Sequence, residues 1–151
     1  MIKKIIIGLC LFGAFVIWSG CGGTYEAPAG STITITGPES ITDGSPTTST
    51  DSAFFTIVVK NQSGVPLDDV QIWITYPWAI PSPAAAVQLY DGDDPQDSPM
   101  PVKTDSNGAF NLRMDYLRGG GIEYTGTIQV TSGSVVGTAD FAVSSGSETG
   151  S

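Results

Sequence analysis

Four carboxylates crowd one short loop of the chain, at Asp91, Asp93, Asp94 and Asp97. Calcium takes about six to eight hard oxygen ligands, which the carboxylates and carbonyls of a bent loop can supply. The spacing departs from the EF-hand pattern D-x-[DN]-x-[DN]-G, and no glutamate follows at the distance that this pattern requires. The loop is therefore either a weak calcium site or a solvated acidic loop that aids solubility. We expect no other cofactor.

Three aromatic residues, Trp73, Tyr76 and Trp78, lie close together along the chain. Trp73 stands between Gln71 and Thr75 on the polar side of an alternating segment. An exposed indole there could stack on a sugar or dock a partner protein. A one-residue bulge would instead turn Trp73 into the core. The sequence leaves both placements open.

The composition argues against catalysis and against nucleic-acid binding. The chain contains no histidine, the side chain that most often serves as a general base or metal ligand. Asp115 and Glu123 have the residue types of a glycosidase pair, but nothing in the sequence fixes their separation. The net charge of −9 repels the phosphate backbone of nucleic acids. We therefore expect neither an enzyme nor a nucleic-acid-binding protein.

The first twenty residues have the organisation of an export signal. Lys3 and Lys4 precede an apolar stretch over 5–17. This stretch is shorter than the roughly twenty residues that a membrane helix needs, and it has the length of a signal-peptide core. An ordinary secretory signal or an uncleaved anchor is one interpretation.

The residues that follow favour a lipid anchor. Trp18-Ser19-Gly20-Cys21 resembles the lipobox of bacterial lipoproteins, although leucine is usual where Trp18 stands. The resemblance implies a signal peptide over 1–20, cleavage before Cys21, and lipidation of Cys21. Gly22 rather than aspartate follows the cysteine, which by the same resemblance favours the outer membrane, with the domain facing either the periplasm or the outside. The remaining cysteine, Cys10, falls inside the leader, so the mature domain has no pair of thiols for a disulfide.

The rest of the chain alternates in short runs between Gly and Pro turn signals, without a sustained helical period. In each run every second residue is apolar, as in a strand with one buried face. The runs span 31–36, 54–60, 70–76, 87–90, 109–116, 124–131 and 135–143. We expect one all-β Greek-key sandwich of seven to eight strands over 31–143, after a lipidated cysteine and flexible tether over 21–30 and before a disordered tail over 144–151.

Several segments resemble the bacterial immunoglobulin-like (Big) domains of the invasin/intimin type. They are Ile57-Val58-Val59-Lys60-Asn61, Gly64-Val65-Pro66-Leu67, Val70-Gln71-Ile72, Thr104-Asp105-Ser106-Asn107-Gly108, the stretch 126–133, and Phe141-Ala142-Val143. Carboxypeptidase-regulatory-like domains, a neighbouring sandwich family, share the G-x-P-L and T-D-x-x-G features. The resemblance implies an Ig-like domain without shared catalytic residues, of the kind that serves exported proteins as a spacer, adhesin module or assembly module.

The sequence thus predicts a non-enzymatic, lipid-anchored cell-envelope protein with one Ig-like domain. We expect this domain to act as a structural or protein-interaction module for another envelope or extracellular protein. The alternative is an adhesion module that binds a glycan through the aromatic residues or calcium through the acidic loop.

Overall fold

The structure, a computed structural model, describes residues 25–76, 78–79 and 87–146. Within these residues every regular element is a β-strand. The strands are β1 (Thr32–Thr36), β2 (Ser40–Asp43), β3 (Ser49–Lys60), β4 (Gln71–Thr75), β5 (Trp78–Ala79), β6 (Val87–Asp91), β7 (Asp94–Gln96), β8 (Met100–Lys103), β9 (Ala109–Arg118), β10 (Tyr124–Ser132) and β11 (Val135–Ser145).

The strands form two sheets. One sheet has the order β1-β3-β9-β6-β7, and the other has the order β2-β11-β10-β4-β8, with β5 also paired to β10. Strands β2 and β11 are parallel, and the other pairs are antiparallel. An immunoglobulin domain stacks a sheet of strands A, B, E and D on a sheet of C, F and G. Here β1-β3-β9-β6 and β4-β10-β11 take those places, and the predicted Ig-like sandwich is confirmed.

Each of the seven predicted strands is present, and the structure adds four short ones. The added strands are β2, β5, β7 and β8, which have two to four residues each. Such segments are too short to show an alternating pattern, so the sequence predicts fewer strands than the structure contains. Strand β3 also begins earlier than predicted. Its first three residues are polar and exposed, so they do not show the alternation from which a strand is predicted.

The core lies between the sheets and follows the predicted alternation. Along β3, Phe55 and Ile57 are buried while Phe54 and Thr56 face solvent. Phe55 meets Phe141 of the opposite sheet edge-to-face, with ring centroids 5.9 Å apart, and Tyr116 meets the same ring at 5.3 Å. These aromatic contacts join the sheets in a domain whose sequence has no cysteine after Cys21.

Two close approaches of the backbone require glycine. A Cβ on Gly137 would lie 2.6 Å from the carbonyl oxygen of Ile33, because β1 passes directly over β11 at this point. A Cβ on Gly126 would lie 2.5 Å from the ring of Tyr76, which packs over β10. Both glycines therefore allow one element to cross another at van der Waals distance.

Both ends of the domain make contacts that the sequence does not indicate. From residue 25 onward, the segment predicted as a flexible tether lies against the sandwich, and Ala27 is buried in the core. At the other end, β11 continues through Ser144 and Ser145, which pair with Thr42 and Asp43 of β2. The predicted signal peptide, Cys21 and the last five residues lie outside the described residues.

Candidate interaction surfaces

The acidic loop that the sequence marks as a calcium candidate forms the tight β6–β7 hairpin. Asp91 and Asp94 face each other across its two strands. Asp93 stands at the turn, where an Nη atom of Arg113 lies 3.1 Å from its carboxylate. Asp97 follows β7. Among the residues that the structure describes, no three His, Cys, Asp or Glu side chains are grouped so that they could hold a metal ion.

Trp73 lies on the outer face of the six-stranded sheet, where its side chain is 42% exposed. Strand β4 is regular here, without the bulge that would turn the indole inward. Trp73 pairs with Pro101 of β8 on one side and with Thr131 of β10 on the other. Thr131 in turn pairs with the exposed Val136 of β11. The indole thus stands in a partly apolar row across four strands.

The other two aromatic candidates do not share this row. Tyr76 is 6% exposed and packs in the core against Gly126. Its burial raises the pKa of the Tyr76 hydroxyl to about 12. Trp78 is placed by its backbone in β5, opposite Gly126 of β10. The buried Tyr76 ring is therefore not part of an exposed contact surface.

A second outward row crosses the five-stranded sheet, and no motif in the sequence indicates it. Phe54 of β3 pairs with Arg113 of β9, which pairs with Tyr90 of β6. Phe54 is 66% exposed, the largest exposed fraction of any large apolar side chain in the described part of the chain. The guanidinium carbon of Arg113 lies 4.4 Å from the centroid of the Tyr90 ring, within the range of a cation–π contact.

Arg113 is held in place from two sides. Its Nε and Nη2 donate hydrogen bonds of 2.9 and 2.8 Å to the two carboxylate oxygens of Asp115. Asp115 also accepts a hydrogen bond of 2.6 Å from Ser52. The hydrogen bonds from Arg113 lower the pKa of the Asp115 carboxyl, and the same pairing raises the pKa of Arg113. The bidentate pair fixes the plane of the guanidinium group.

A shallow depression of about 460 Å³ adjoins this row. It is lined by Ser52, Phe54, Gly92, Asp93, Asn111 and Arg113. A fixed guanidinium, a projecting phenyl ring and a polar rim can receive a side chain of a partner with little ordering of the site itself. We call Phe54, Arg113 and Tyr90 the phenylalanine–arginine row.

The edge strands β7 and β8 are poorly suited to binding a partner through the addition of another strand. Strand β7 contains Pro95 between polar residues, and β8 contains Pro101 and ends in Lys103. Proline removes a backbone donor from an edge, and lysine disfavours the addition of another strand. On this side of the sandwich, the sheet faces are better contact surfaces than the edges.

Asp115 and Glu123, the imagined glycosidase pair, have separate partners. Asp115 is bound to Arg113 on the outer face of the five-stranded sheet. Glu123 accepts hydrogen bonds from the backbone and side chain of Ser145 at the end of β11. Hydrogen bonds from Ser145 lower the pKa of the Glu123 carboxyl. Each carboxylate is thus hydrogen-bonded to its own neighbours, and the two share no partner among these contacts.

The described residues also contain no helix long and apolar enough to span a bilayer.

The fold belongs to the class of immunoglobulin-like β-sandwiches. The adhesin InvE of Yersinia pseudotuberculosis is similar over 78% of this chain and 33% of its own, with 18% identity and a TM-score of 0.50. AggA, the major subunit of aggregative adherence fimbriae type I from Escherichia coli, is similar over 81% of this chain and 99% of its own, with 13% identity and a TM-score of 0.46. This chain therefore spans about a third of the adhesin. No protein-family model and no curated protein sequence matches the chain significantly.

Proposed function

We propose that the chain is a non-enzymatic, lipid-anchored protein of the bacterial cell envelope whose Ig-like domain binds a partner protein. The phenylalanine–arginine row is the observation that carries this proposal. Arginine and aromatic residues are enriched among the residues that dominate protein–protein binding energy. An Ig-like domain of this kind also occurs in a bacterial adhesin, which is consistent with a place at the cell surface.

The row has the arrangement of a contact centre. Phe54 supplies apolar area that is lost from water on binding, at about 25 cal/mol per Å². Arg113 is already fixed by Asp115 and Tyr90, so little side-chain entropy is lost when a partner binds over it. Ser52 and Asn111 lie at the polar rim of the adjoining depression. Removal of such an anchor typically costs about 2 kcal/mol or more of binding free energy.

The lipid anchor at Cys21 places this row at a membrane surface. Two or three acyl chains, at about 0.8 kcal/mol per buried CH₂, attach a protein stably where a single chain does not. Gly22 after the cysteine favours the outer membrane. The partner is then another envelope or extracellular protein that reaches the same surface.

Photocrosslinking in cells tests the partner. The photoreactive residue p-benzoylphenylalanine replaces Phe54 in one strain and Val65, an exposed residue on the loop after β3, in another. We expect a discrete crosslinked species, identified by mass spectrometry, from position 54 and not from position 65. Arg113→Ala should abolish that species. The same product from both positions, or none from position 54, would refute the proposed contact face.

Metabolic labelling tests the anchor. Cells grown with an alkyne analogue of palmitate should label the wild-type chain and Cys10→Ser, and should not label Cys21→Ser. Label that persists in Cys21→Ser would show that the lipid is attached elsewhere. An unlabelled wild-type chain would show that there is no lipid anchor.

The exposure of Trp73 supports a second candidate function, the binding of a glycan. Its indole is exposed on the outer face of the sheet, beside Pro101 and Thr131, where a sugar ring can stack on it. Affinity electrophoresis in gels containing a bacterial polysaccharide tests this candidate. Trp73→Ala should lose retardation while Val136→Ala, in the same row, should keep it. Equal mobility of the wild-type domain in gels with and without the polysaccharide would show that it does not bind that polysaccharide.

A further inference from the structure

Residues 25–30, part of the predicted tether, form what we call the docked segment. The carbonyl of Tyr25 accepts a hydrogen bond of 2.7 Å from the backbone N–H of Gln71, at the start of β4. The N–H of Ala27 donates a hydrogen bond of 2.8 Å to Oγ of Ser132, at the end of β10. The side chain of Ala27 is 5% exposed and belongs to the core. The segment is therefore an integral part of the domain.

Ser132 joins the docked segment to both neighbouring strands. Its side chain is fully buried, and its Oγ also donates a hydrogen bond of 2.6 Å to the carbonyl of Gln71. A buried hydroxyl without partners would destabilise the fold, so the presence of both partners ties docking to the stability of the domain.

We propose that the docked segment is a rigid stem that holds the sandwich close to the membrane, with the β10–β11 turn directed toward the lipid. This inference rests on the proposed lipidation of Cys21. Tyr25 is four steps along the chain from Cys21. A chain spans at most about 3.6 Å per residue, so the first docked residue lies within about 14 Å of the lipidated cysteine. A free chain as far as Ser31 would reach roughly 36 Å at the same rise. The stem thus more than halves the reach of the anchor.

We call the end of the sandwich that carries the docked segment the anchor end. The register of the strands shows which other residues lie at this end. Lys60 ends β3 beside Thr32, and Ser132 ends β10 beside Val135. Ser49, at the other end of β3, pairs with Arg118 at the end of β9. Strand β3 has twelve residues. At about 3.3 Å per residue, its two ends are roughly 36 Å apart.

Attraction between basic residues and anionic lipid headgroups does not set the orientation of the domain on the membrane. The anchor end carries Lys60 and Lys103, the last residues of β3 and β8. Asp68 and Asp69 lie on the loop after β3, and Asp105 lies on the loop after β8. Lys103 is moreover paired with Asp69 at 2.7 Å. Anionic headgroups attract clusters of unpaired basic residues, and no such cluster is found at this end of the described domain. An orientation set by the stem should therefore be insensitive to salt.

Energy transfer from the protein to the bilayer tests the orientation. The lipidated, mature chain is placed in phosphatidylethanolamine–phosphatidylglycerol vesicles that contain a headgroup-labelled acceptor lipid. Ser63→Cys marks the anchor end and Ser49→Cys marks the opposite end, and both serines are exposed. Each variant has one reactive thiol, because Cys10 leaves with the leader and Cys21 carries the lipid. We expect strong transfer from position 63 and weak transfer from position 49, at both low and high salt.

A matched pair of substitutions, each of an alanine by aspartate, tests the stem itself. Ala27→Asp forces a carboxylate into a buried position and should release the docked segment, so that the transfer from positions 63 and 49 converges. Ala29→Asp, at an exposed position of the same segment, should preserve the difference. Circular dichroism confirms that each variant keeps its sheets. The wild-type comparison of positions 63 and 49 stands without these variants, should Ala27→Asp fail to fold.

Two outcomes count against the inference in different ways. Equal transfer from the two positions, in protein that carries palmitate and binds the vesicles, would overturn the stem and leave the lipid anchor intact. A chain that incorporates no palmitate and does not bind the vesicles would overturn the anchor and the stem together.

Discussion

Ser132→Ala removes a single oxygen at the point where three segments meet. The Oγ of Ser132 accepts a hydrogen bond from Ala27 and donates one to the carbonyl of Gln71, and the residue has no exposed surface. The substitution leaves the backbone of the strands unchanged, so its effect reports on these two hydrogen bonds. It therefore measures how firmly the docked segment is held.

The expected loss of stability follows from the two broken bonds. An intramolecular hydrogen bond contributes about 1 kcal/mol net, and a buried group left without a partner costs about 1–3 kcal/mol. The N–H of Ala27 can regain water if the docked segment detaches, whereas the carbonyl of Gln71 stays at the strand start. We expect the free energy of unfolding to fall by about 2–3 kcal/mol.

Urea denaturation of the mature chain carrying Cys21→Ser measures this loss without the lipid. Ser134→Ala is the matched control, because Ser134 lies exposed in the same turn. The control should change stability by less than about 0.5 kcal/mol. Hydrogen exchange at the amide of Ala27 should accelerate in Ser132→Ala alone. Equal stability of the two variants, with the Ala27 amide still protected, would refute the assigned role of Ser132.

Three further substitutions test the core, the corner of the sandwich and its acid sensitivity. Phe55→Ala should cost about 3–5 kcal/mol in urea denaturation, and Phe54→Ala less than about 1 kcal/mol, because only Phe55 is buried; equal losses would contradict the alternation. Tyr124→Phe removes the hydrogen bond of 2.9 Å that the Tyr124 hydroxyl donates to the carbonyl of Leu117. Thermal melts should show a free energy of unfolding lower by about 1 kcal/mol. An unchanged melting temperature would contradict this role. Hydrogen bonds from Arg113 hold the pKa of Asp115 below its ordinary 3.8, so its contribution to stability is present above that value and is lost as the pH falls through the lowered pKa. Asp115→Asn should therefore weaken the decline in urea midpoint between about pH 5 and pH 2, and an unchanged decline would count against the pairing.

The sequence predicts the strands because their burial has a period of two. In β3 the residues Phe55, Ile57 and Val59 are buried, as the alternation requires, and the flanking residues are not. The same rule places Trp73 outward, and only a bulge could have reversed it. The structure has no bulge there, so the exposed alternative holds.

The phenylalanine–arginine row depends on information that a single strand does not carry. Alternation already directs Phe54 and Arg113 outward, since each lies beside a buried neighbour. Their contact depends on the register between β3 and β9, and the contact with Tyr90 depends on the register between β9 and β6. Loops and long-range pairing set these registers, so the sequence predicts each direction but not the row.

Docking of the tether was hidden for a different reason. Its contacts use the backbone of Tyr25 and Ala27 and one small side chain. Backbone groups have no sequence signature, and a run rich in Gly, Pro and Ala has no apolar period. The partner, Ser132, looks like an ordinary turn residue until its burial is known.

The proposed stem and the phenylalanine–arginine row together predict how a partner approaches. In the proposed orientation the anchor end faces the lipid, so the strands lead away from the membrane and both sheet faces are turned sideways. We therefore expect a partner that covers Phe54 to lie beside the domain, near the same bilayer. Confinement to one surface raises the effective concentration of such a partner, up to the millimolar range for short linkers. Export of the domain with an ordinary cleavable signal, in place of the lipid signal, should consequently reduce crosslinking from position 54 at least about tenfold. Undiminished crosslinking by the unanchored domain would show that the partner is bound from solution, and would refute the lateral approach.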